Sequence, residues 1–350
     1  MLRIAQVAPL YEPVPPRTYG GTERVVSWIT EELVRRGHEV TLYASGDSRT
    51  AARLVAVTDR ALRGHPDCRD PVARHVRLLG RVADEAETHD IVHFHTDHLH
   101  FPLARRLAVP HVTTLHGRLD LPDTRALFEE FRDIPVVSIS DAQRAPVPFA
   151  NWQATVYHGL PRDLHRFHPR HEGYLAFIGR FSPEKGAHLA IEIARRAGLP
   201  IRVAAKVCEA NRAYYEEVIR PLLREPFVEY VGEVGGADKD AFLGGALAVL
   251  FPIDWPEPFG LVMVEAMACG TPVIAFRRGS VPEVMVDGVT GFVVEGVDEA
   301  VRAVERVAGL DRAACRRVFE ERYTVERMVD RYEALYERLL RGRMRPRLVG

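Results

Sequence analysis

A chain of 350 residues exceeds the roughly 250–300 at which a single hydrophobic core stops growing, so about two domains are expected. Hydrophobic residues at 47%, charged residues at 27% and a formal net charge of -1 describe a globular protein with no bulk attraction for nucleic acid. No basic stripe interleaved with aromatics appears, and no apolar run approaches the roughly 20 residues that span a bilayer.

The opening MLRIAQVAPL has one basic residue and too short an apolar run for a signal sequence, so it reads as a first strand and the chain as cytoplasmic. From there, short Val/Ile/Leu/Ala-rich runs alternate with amphipathic stretches, the pattern of parallel sheets covered by helices. Strands are predicted over 4–8, 40–44, 91–94, 111–115, 136–139 and 154–157, then over 174–178, 201–205, 228–231, 247–251, 272–275 and 291–294. Two doubly wound α/β sheets follow. The stretch from His158 to Gly173 is rich in Pro, Arg and His without periodicity, so the connection is expected there, with domains over 1–165 and 166–322. Apolar residues at 325, 328, 329, 332, 335, 336 and 339 keep helical spacing and predict a terminal helix over 323–340, followed by a frayed basic tail over 341–350. No solenoid repeat or low-complexity segment appears.

Cys68, Cys208, Cys269 and Cys315 are scattered without a C-x-x-C pair, which suggests neither a disulfide framework nor a cysteine zinc site. Among 47 basic residues the only lysines are Lys185, Lys206 and Lys239. A lysine is therefore not a default choice in this chain.

In YLAFIGRFSPEKGAHLAIEIA a buried strand runs into Gly179 and Arg180. Ser182 is then expected as N-cap, Pro183 at the first helical position and Lys185 in the first helical turn. Backbone N–H groups at a helix start favour anions, and an arginine with a lysine there suits a diphosphate. The plainer alternative is a capped helix with two solvated cations. A second such element lies near the N-terminus, where the first strand ends at Pro9 and a Pro-rich loop leads to Gly20-Gly21-Thr22-Glu23 opening a helix. Paired glycines let backbone approach a ligand closely. The G-x-G-x-x-G fingerprint is absent, and Asp47 is only a faint echo of its ribose-binding acid.

The run LFPIDWPEPFGLVMVEAMACGTPVIA carries the sharpest information. Glu257 stands in a Pro-punctuated loop, and Phe259-Gly260-Leu261 begins a helix that Gly270 ends. Glu265 is the sole charge on that helix, set among Leu261, Val262, Met263, Val264, Ala266, Met267 and Ala268. A helix apolar on nearly every face is buried, and an unpaired buried carboxylate costs several kcal/mol. Glu265 therefore needs a polar partner, which could be an arginine of the protein or the two adjacent hydroxyls of a nucleotide ribose.

This stretch resembles the E-x7-E motif of retaining family 4 glycosyltransferases, which have the GT-B fold of two Rossmann-like domains facing across a cleft. GRFSPEKG resembles that family's Arg/Lys diphosphate motif and YGGTE its N-terminal glycine loop; TTLHG at 113–117 and SISDAQR at 138–144 look like its acceptor-side segments. The resemblance spans nearly the whole chain. It implies that Arg180 and Lys185 hold the diphosphate of a nucleotide sugar and that Glu265 holds the ribose. Glu257, with the amides near Phe259, Gly260 and Leu261, would hold the sugar hydroxyls. His116 would sit near the anomeric carbon, Gly20 and Gly21 would close on the phosphates, and the terminal helix would cross back to the first domain. Where relatives commonly show Asn-Gly-Val-Asp, this chain has Tyr157-His158-Gly159-Leu160, which leaves His158 and Asp163 without an assigned role.

The resemblance implies hexosyl transfer with retention, from UDP-glucose or less readily GDP-mannose, to a hydroxyl acceptor that the sequence does not identify. Cations and helix N-termini can stabilise the departing diphosphate without metal or other cofactor. Asp238-Lys239-Asp240, the sole Asp-x-Asp triplet, is read as N-cap chemistry. A double displacement would want a carboxylate nucleophile beneath the sugar, for which Glu257 is the candidate; reaction on one face, with the leaving phosphate taking the acceptor proton, is favoured, and Glu257 then positions the sugar. Nucleotide-sugar epimerases and glycogen phosphorylases share this architecture and are the nearest alternatives. A remoter one is the dinuclear zinc hydrolase pattern H-x-H-x-D-H, met by His93, His95, Asp97 and His98. Peripheral membrane contact and oligomeric state stay open.

Overall fold

The computed structural model describes residues 1–17 and 20–344. The chain divides into two compact units, Met1–Pro161 with Val325–Gly350, and Arg162–Thr324. The division thus falls at Pro161, four residues earlier than the expected boundary, and the terminal helix belongs to the first unit.

The first unit is built on seven parallel strands: β1 (Arg3–Val7), β2 (Glu39–Ser45), β3 (Arg53–Thr58), β4 (Ile91–Phe94), β5 (His111–Thr114), β6 (Val136–Ser138) and β7 (Trp152–Thr155). Their order across the sheet is β3-β2-β1-β4-β5-β6-β7. Alternate residues of a strand face opposite sides, and here both sides are covered. Leu42 and Ala44 pack with Val26 of the helix Gly21–Arg35, while Tyr43 packs with Leu78, Leu79 and Val82 of the helix Pro71–Glu85. Asp70 starts the latter helix by accepting the N–H groups of Val72 (2.9 Å) and Ala73 (3.1 Å), with Pro71 at its first position.

Strand β3 was not among the expected strands. It lies at the sheet edge and is only partly buried, although Leu54-Val55-Ala56-Val57 is an apolar run like those of the expected strands; it follows β2 with no helix between them, against the expected alternation of strand and helix. The seventh strand sits two residues earlier than expected. The terminal helix, Val325–Met344, runs on through 341–344, where fraying was expected; 345–350 lie outside the described residues. It is tied to the first unit by Arg36, whose guanidinium bonds Asp330 Oδ1 (2.8 Å), the carbonyl of Glu326 (2.9 Å) and the carboxylate of Glu333.

The second unit has six parallel strands: β8 (Tyr174–Arg180), β9 (Ile201–Lys206), β10 (Val228–Gly232), β11 (Ala246–Phe251), β12 (Val273–Phe276) and β13 (Gly291–Val294). They are ordered β10-β9-β8-β11-β12-β13. Apolar residues of β8, β9 and β11, among them Phe177, Val203 and Leu250, pack with Ile191 and Ala194 of the helix Ala187–Ala197 and Ala300 and Val304 of the helix Val297–Val307. In each unit the chain winds outward from one point, between β1 and β4 in the first and between β8 and β11 in the second. Open α/β sheets bind ligands beyond the carboxyl ends of the strands at such switch points.

Candidate functional site

In the second unit the loops leaving β8 and β11 flank the switch point, and their sequences force them into contact. After Arg180, Ser182 is extended and residues Pro183–Lys185 make one tight turn; Gly186 then takes a left-handed conformation (φ +73°) and the helix Ala187–Ala197 begins. The expected helix start is thus corrected. Lys185 precedes the helix, and the Ser182 hydroxyl bonds Glu184 Oε1 (2.7 Å) rather than capping an amide. Gly186 is the reason. A Cβ there would lie 2.1 Å from the carbonyl oxygen of Pro252 in the loop after β11, a separation no side chain tolerates. Glycine supplies both the left-handed turn and the close approach.

The contact carries chemistry across it. Asp254 N–H donates to the Glu184 carbonyl (2.9 Å), and Lys185 Nζ donates to Glu257 Oε2 at 2.5 Å while lying 4.5 Å above the Trp255 ring. Arg180, at the end of β8, has its guanidinium 3.7 Å from Glu184. Glu257 is fixed from behind. Its carbonyl accepts Ser280 N–H (2.9 Å), the Ser280 hydroxyl bonds the Phe259 carbonyl (2.9 Å), and Gly279 packs so closely that a Cβ would fall 2.4 Å from the Glu257 backbone. Gly260 (φ +80°) opens the helix Leu261–Cys269 with no side chain to cap its first amides, and Gly270 closes it.

Glu265 is 3% exposed, as the apolar run implied. A lysine is among its protein partners: Lys239 Nζ lies 2.5 Å from Glu265 Oε1. The N-cap reading of Asp238-Lys239-Asp240 is therefore corrected. Gly235 occupies the cap of the helix Gly236–Gly244, Lys239 reaches Glu265, and Asp240 accepts Arg166 N–H (2.7 Å) and bonds His168 Nε2 (3.0 Å). Burial works against the Asp240 anion, but these two bonds hold its carboxyl below the usual range. His165, Asp240 and Cys269 bring donor atoms within 4.8 Å of one another. Asp240 is already engaged, however, and burial pushes the Cys269 thiol up and His165 down, as expected of neutral packing groups.

The first unit contributes a buried polar network at the ends of β4 and β5. His93 Nδ1 meets the Tyr336 hydroxyl (2.7 Å) and its Nε2 the Thr114 hydroxyl (2.8 Å); Thr114 also meets Tyr332 (2.9 Å). His95 Nε2 bonds Gln6 Oε1 (2.8 Å) and its Nδ1 bonds His116 Nε2 (2.9 Å). Both ring nitrogens of His93 and of His95 are thus engaged within the protein, in a parallel sheet foreign to the zinc hydrolase pattern. Burial lowers His93 and His116 to about 3, so both are neutral imidazoles near pH 7. Because Gln6 Oε1 only accepts, His95 donates from Nε2 and accepts at Nδ1. His116 must then donate from Nε2, which leaves its Nδ1 as a proton acceptor.

The two segments expected on the acceptor side are clamped together, since Gln143 Nε2 donates to the carbonyls of Leu115 (2.9 Å) and Gly117 (2.7 Å). His158 stacks on His116 with ring centroids 5.2 Å apart, and Asp163 is exposed. Gly20 (φ +144°) packs on Pro16, where a Cβ would lie 2.8 Å from the proline ring, and Gly21 begins the helix Gly21–Arg35. Tyr19 of the glycine loop lies outside the described residues. Asp47 serves structure by accepting Ala61 N–H (2.9 Å). All four cysteines are free.

Residues 19–180 match the family model described as Glycosyltransferase Family 4, and residues 165–318 match that of Glycosyl transferases group 1. The two matches join into one span from 19 to 318. This chain is a glycosyltransferase with a family 4 domain. The O-antigen chain mannosyltransferase C of Escherichia coli is 24% identical over 97% of this transferase and 100% of its own length. The crystal structure of AviGT4, a glycosyltransferase involved in avilamycin A biosynthesis, superposes with a TM-score of 0.75 at 26% identity, covering 98% of this chain and 99% of that one. HepE of Anabaena in complex with UDP-glucose shares the fold, with a TM-score of 0.75 at 18% identity, over 96% and 100% of the two chains. The two parallel sheets are those of the GT-B fold. Among the described residues of the transferase no helix is long and apolar enough to cross a membrane.

Sequence reasoning missed Lys239, Trp255, Gly186 and Gly279. The rarity of lysine was a usable signal for Lys239. The glycine of EKG and the aromatic beside Glu257 carried no such mark, because their neighbours are distant in sequence.

Proposed function

We propose that this glycosyltransferase moves a hexosyl group from a nucleoside diphosphate sugar to a hydroxyl acceptor, with retention of anomeric configuration and without metal. One observation carries the reading. The Gly186–Pro252 contact brings a diphosphate-type cation, Lys185, to a sugar-side carboxylate, Glu257, at the switch point of the second unit.

Breaking the anomeric C–O bond leaves positive charge on the sugar and negative charge on the diphosphate. Arg180 and Lys185 stabilise the latter, in positions set before the reaction starts. An ammonium has three donors, so Lys185 can bind a phosphate oxygen and keep Glu257. Glu257 and the amides from Phe259 to Leu261 take the sugar hydroxyls, and Glu265 takes the ribose hydroxyls. In the first unit His116, neutral and with Nδ1 as acceptor, suits a sugar hydroxyl, and the paired glycines Gly20 and Gly21 suit a phosphate. Engagement of Glu257 by an ammonium favours a positioning role over nucleophilic attack. The acceptor oxygen then bonds the anomeric carbon on the face the diphosphate leaves, and its proton passes to the departing phosphate oxygen.

UDP-glucose is the first donor to test, in keeping with the ligand of HepE, and GDP-mannose the second, in keeping with the name of the Escherichia coli relative. A thermal-shift panel of UDP, GDP, ADP and their sugars, run with and without EDTA, tests the reading. It expects stabilisation by one nucleotide family, undiminished by EDTA. Stabilisation by none of them would count against a nucleotide-sugar donor, and loss on chelation against metal independence.

A further inference from the structure

Two of the three lysines in the chain each hold one acid of the E-x7-E pair at 2.5 Å, Lys185 on Glu257 and Lys239 on Glu265. The second pairing is the more buried on its acid side, where Glu265 is 3% exposed. It is also rigidly framed. Lys239 sits on the helix Gly236–Gly244, and the Leu243 carbonyl of that helix accepts the Thr271 hydroxyl (2.7 Å) just beyond the helix Leu261–Cys269. Arg312 bonds the carbonyls of Gly244 (2.7 Å) and Ala246 (2.9 Å) and the Thr271 hydroxyl (2.7 Å), so its charge is committed to this joint and not to Glu265. Asp240, the next residue after Lys239, is anchored on Arg166 N–H and His168. The neighbouring His165 is held neutral by burial.

From this geometry we infer that Lys239 is a positioning residue for ribose recognition: its ammonium keeps Glu265 an ionised acceptor in one orientation, so that the carboxylate reads the ribose hydroxyls. The inference rests on the proposed role of Glu265. An ionised carboxylate offers about four acceptor sites, of which the Lys239 ammonium takes one. A buried carboxyl with no cation beside it takes up a proton instead, and its O–H then opposes one of the hydroxyls it should receive. Without the ammonium the side chain also loses the bond that fixes its rotamer. Loss of Lys239 should therefore lower affinity for a ribonucleotide more than for its 2′-deoxy analogue, an asymmetry that loosening of the fold would not produce.

The test measures, by calorimetric titration, binding of UDP and GDP and of their 2′-deoxy forms to the wild-type chain and to K239M, K239Q, K239R and E265Q, with melting temperatures recorded for each. Hydrogen bonds to a charged group are worth about 1.5–3 kcal/mol, so the wild type should prefer the ribose form by about tenfold or more. K239M should bind it about tenfold more weakly, with the preference falling toward one. K239Q, which keeps a donor without the charge, should lie between, and K239R should retain most of the preference. A folded K239M, or K239Q should K239M not fold, with the wild-type preference intact while E265Q loses it would overturn the inference alone. If the wild type shows no ribose preference, or E265Q keeps it, the role of Glu265 falls and the inference with it.

Discussion

Replacing Gly186 by alanine should damage catalysis far more than stability, and the structure supplies its own control. Gly186 (φ +73°) and Gly198 (φ +68°) stand at the two ends of the helix Ala187–Ala197, both left-handed. Alanine in that conformation costs about 1–2 kcal/mol at either site. In a unit of this size that is a fall of ~2–4 °C in melting temperature for each kcal/mol. The surroundings differ, however. A Cβ at 198 meets nothing within 4 Å, whereas one at 186 lies 2.1 Å from the Pro252 carbonyl. The loops after β8 and β11 must part by about 1 Å to relieve it, and a shift of that size at reacting groups costs on the order of 10²-fold in rate. Turnover of the donor and thermal melts, measured on both variants, check this. G198A should melt lower with turnover unchanged; G186A should lose turnover as well. Wild-type turnover in a folded G186A would refute the claim that this contact sets Lys185 against Glu257.

Lys185→Ala and Arg180→Ala should each lower turnover by about 10²–10³, as for other preorganised charge stabilisers, read by initial rates at saturating donor. Stability of the first unit should fall as pH drops from about 6.5. His93 and His116 are lowered to about 3 by burial, and His95, His100 and His158 are lowered well below the usual value for the same reason. They stay neutral when folded and take protons when unfolded, so each contributes up to about 1.4 kcal/mol per pH unit in that window. Glu23, pushed up to about 7 by burial, opposes this by one proton, since the folded chain binds it more tightly. Denaturant melts at pH 7 and pH 5 should show the drop, and equal stability at both would contradict the buried neutral network. Chelation with EDTA should leave initial rates unchanged.

Most strands were legible because each is a short apolar run between polar stretches; Leu54–Val57 of β3 carries the same signal but follows β2 with no helix between them, so the expected alternation of strand and helix passed over it. The helix Leu261–Cys269 was legible in greater depth. A single acid among apolar residues demanded burial and a partner, and both are present. The partner's identity was not legible, because Lys239 lies 26 residues away and reaches Glu265 only once β11 and two helices have packed. The same holds for His93, whose Tyr336 partner is 243 residues distant. The Ser182-Pro183 start signal was local and outweighed by a tertiary demand, the approach of Gly186 to Pro252, which delays the helix by one turn.

If Lys185, held against Glu257, sits where a nucleotide sugar is cleaved with retention, its removal must abolish that cleavage. Slow turnover of labelled UDP-glucose and GDP-mannose to free sugar by the wild-type chain and by Lys185→Ala, with the released anomer read by proton NMR, tests it most directly. One donor should be consumed with its anomeric configuration kept, and Lys185→Ala should lose this by about 10²-fold or more. Equal consumption by a folded Lys185→Ala, or release of the inverted anomer, would contradict it.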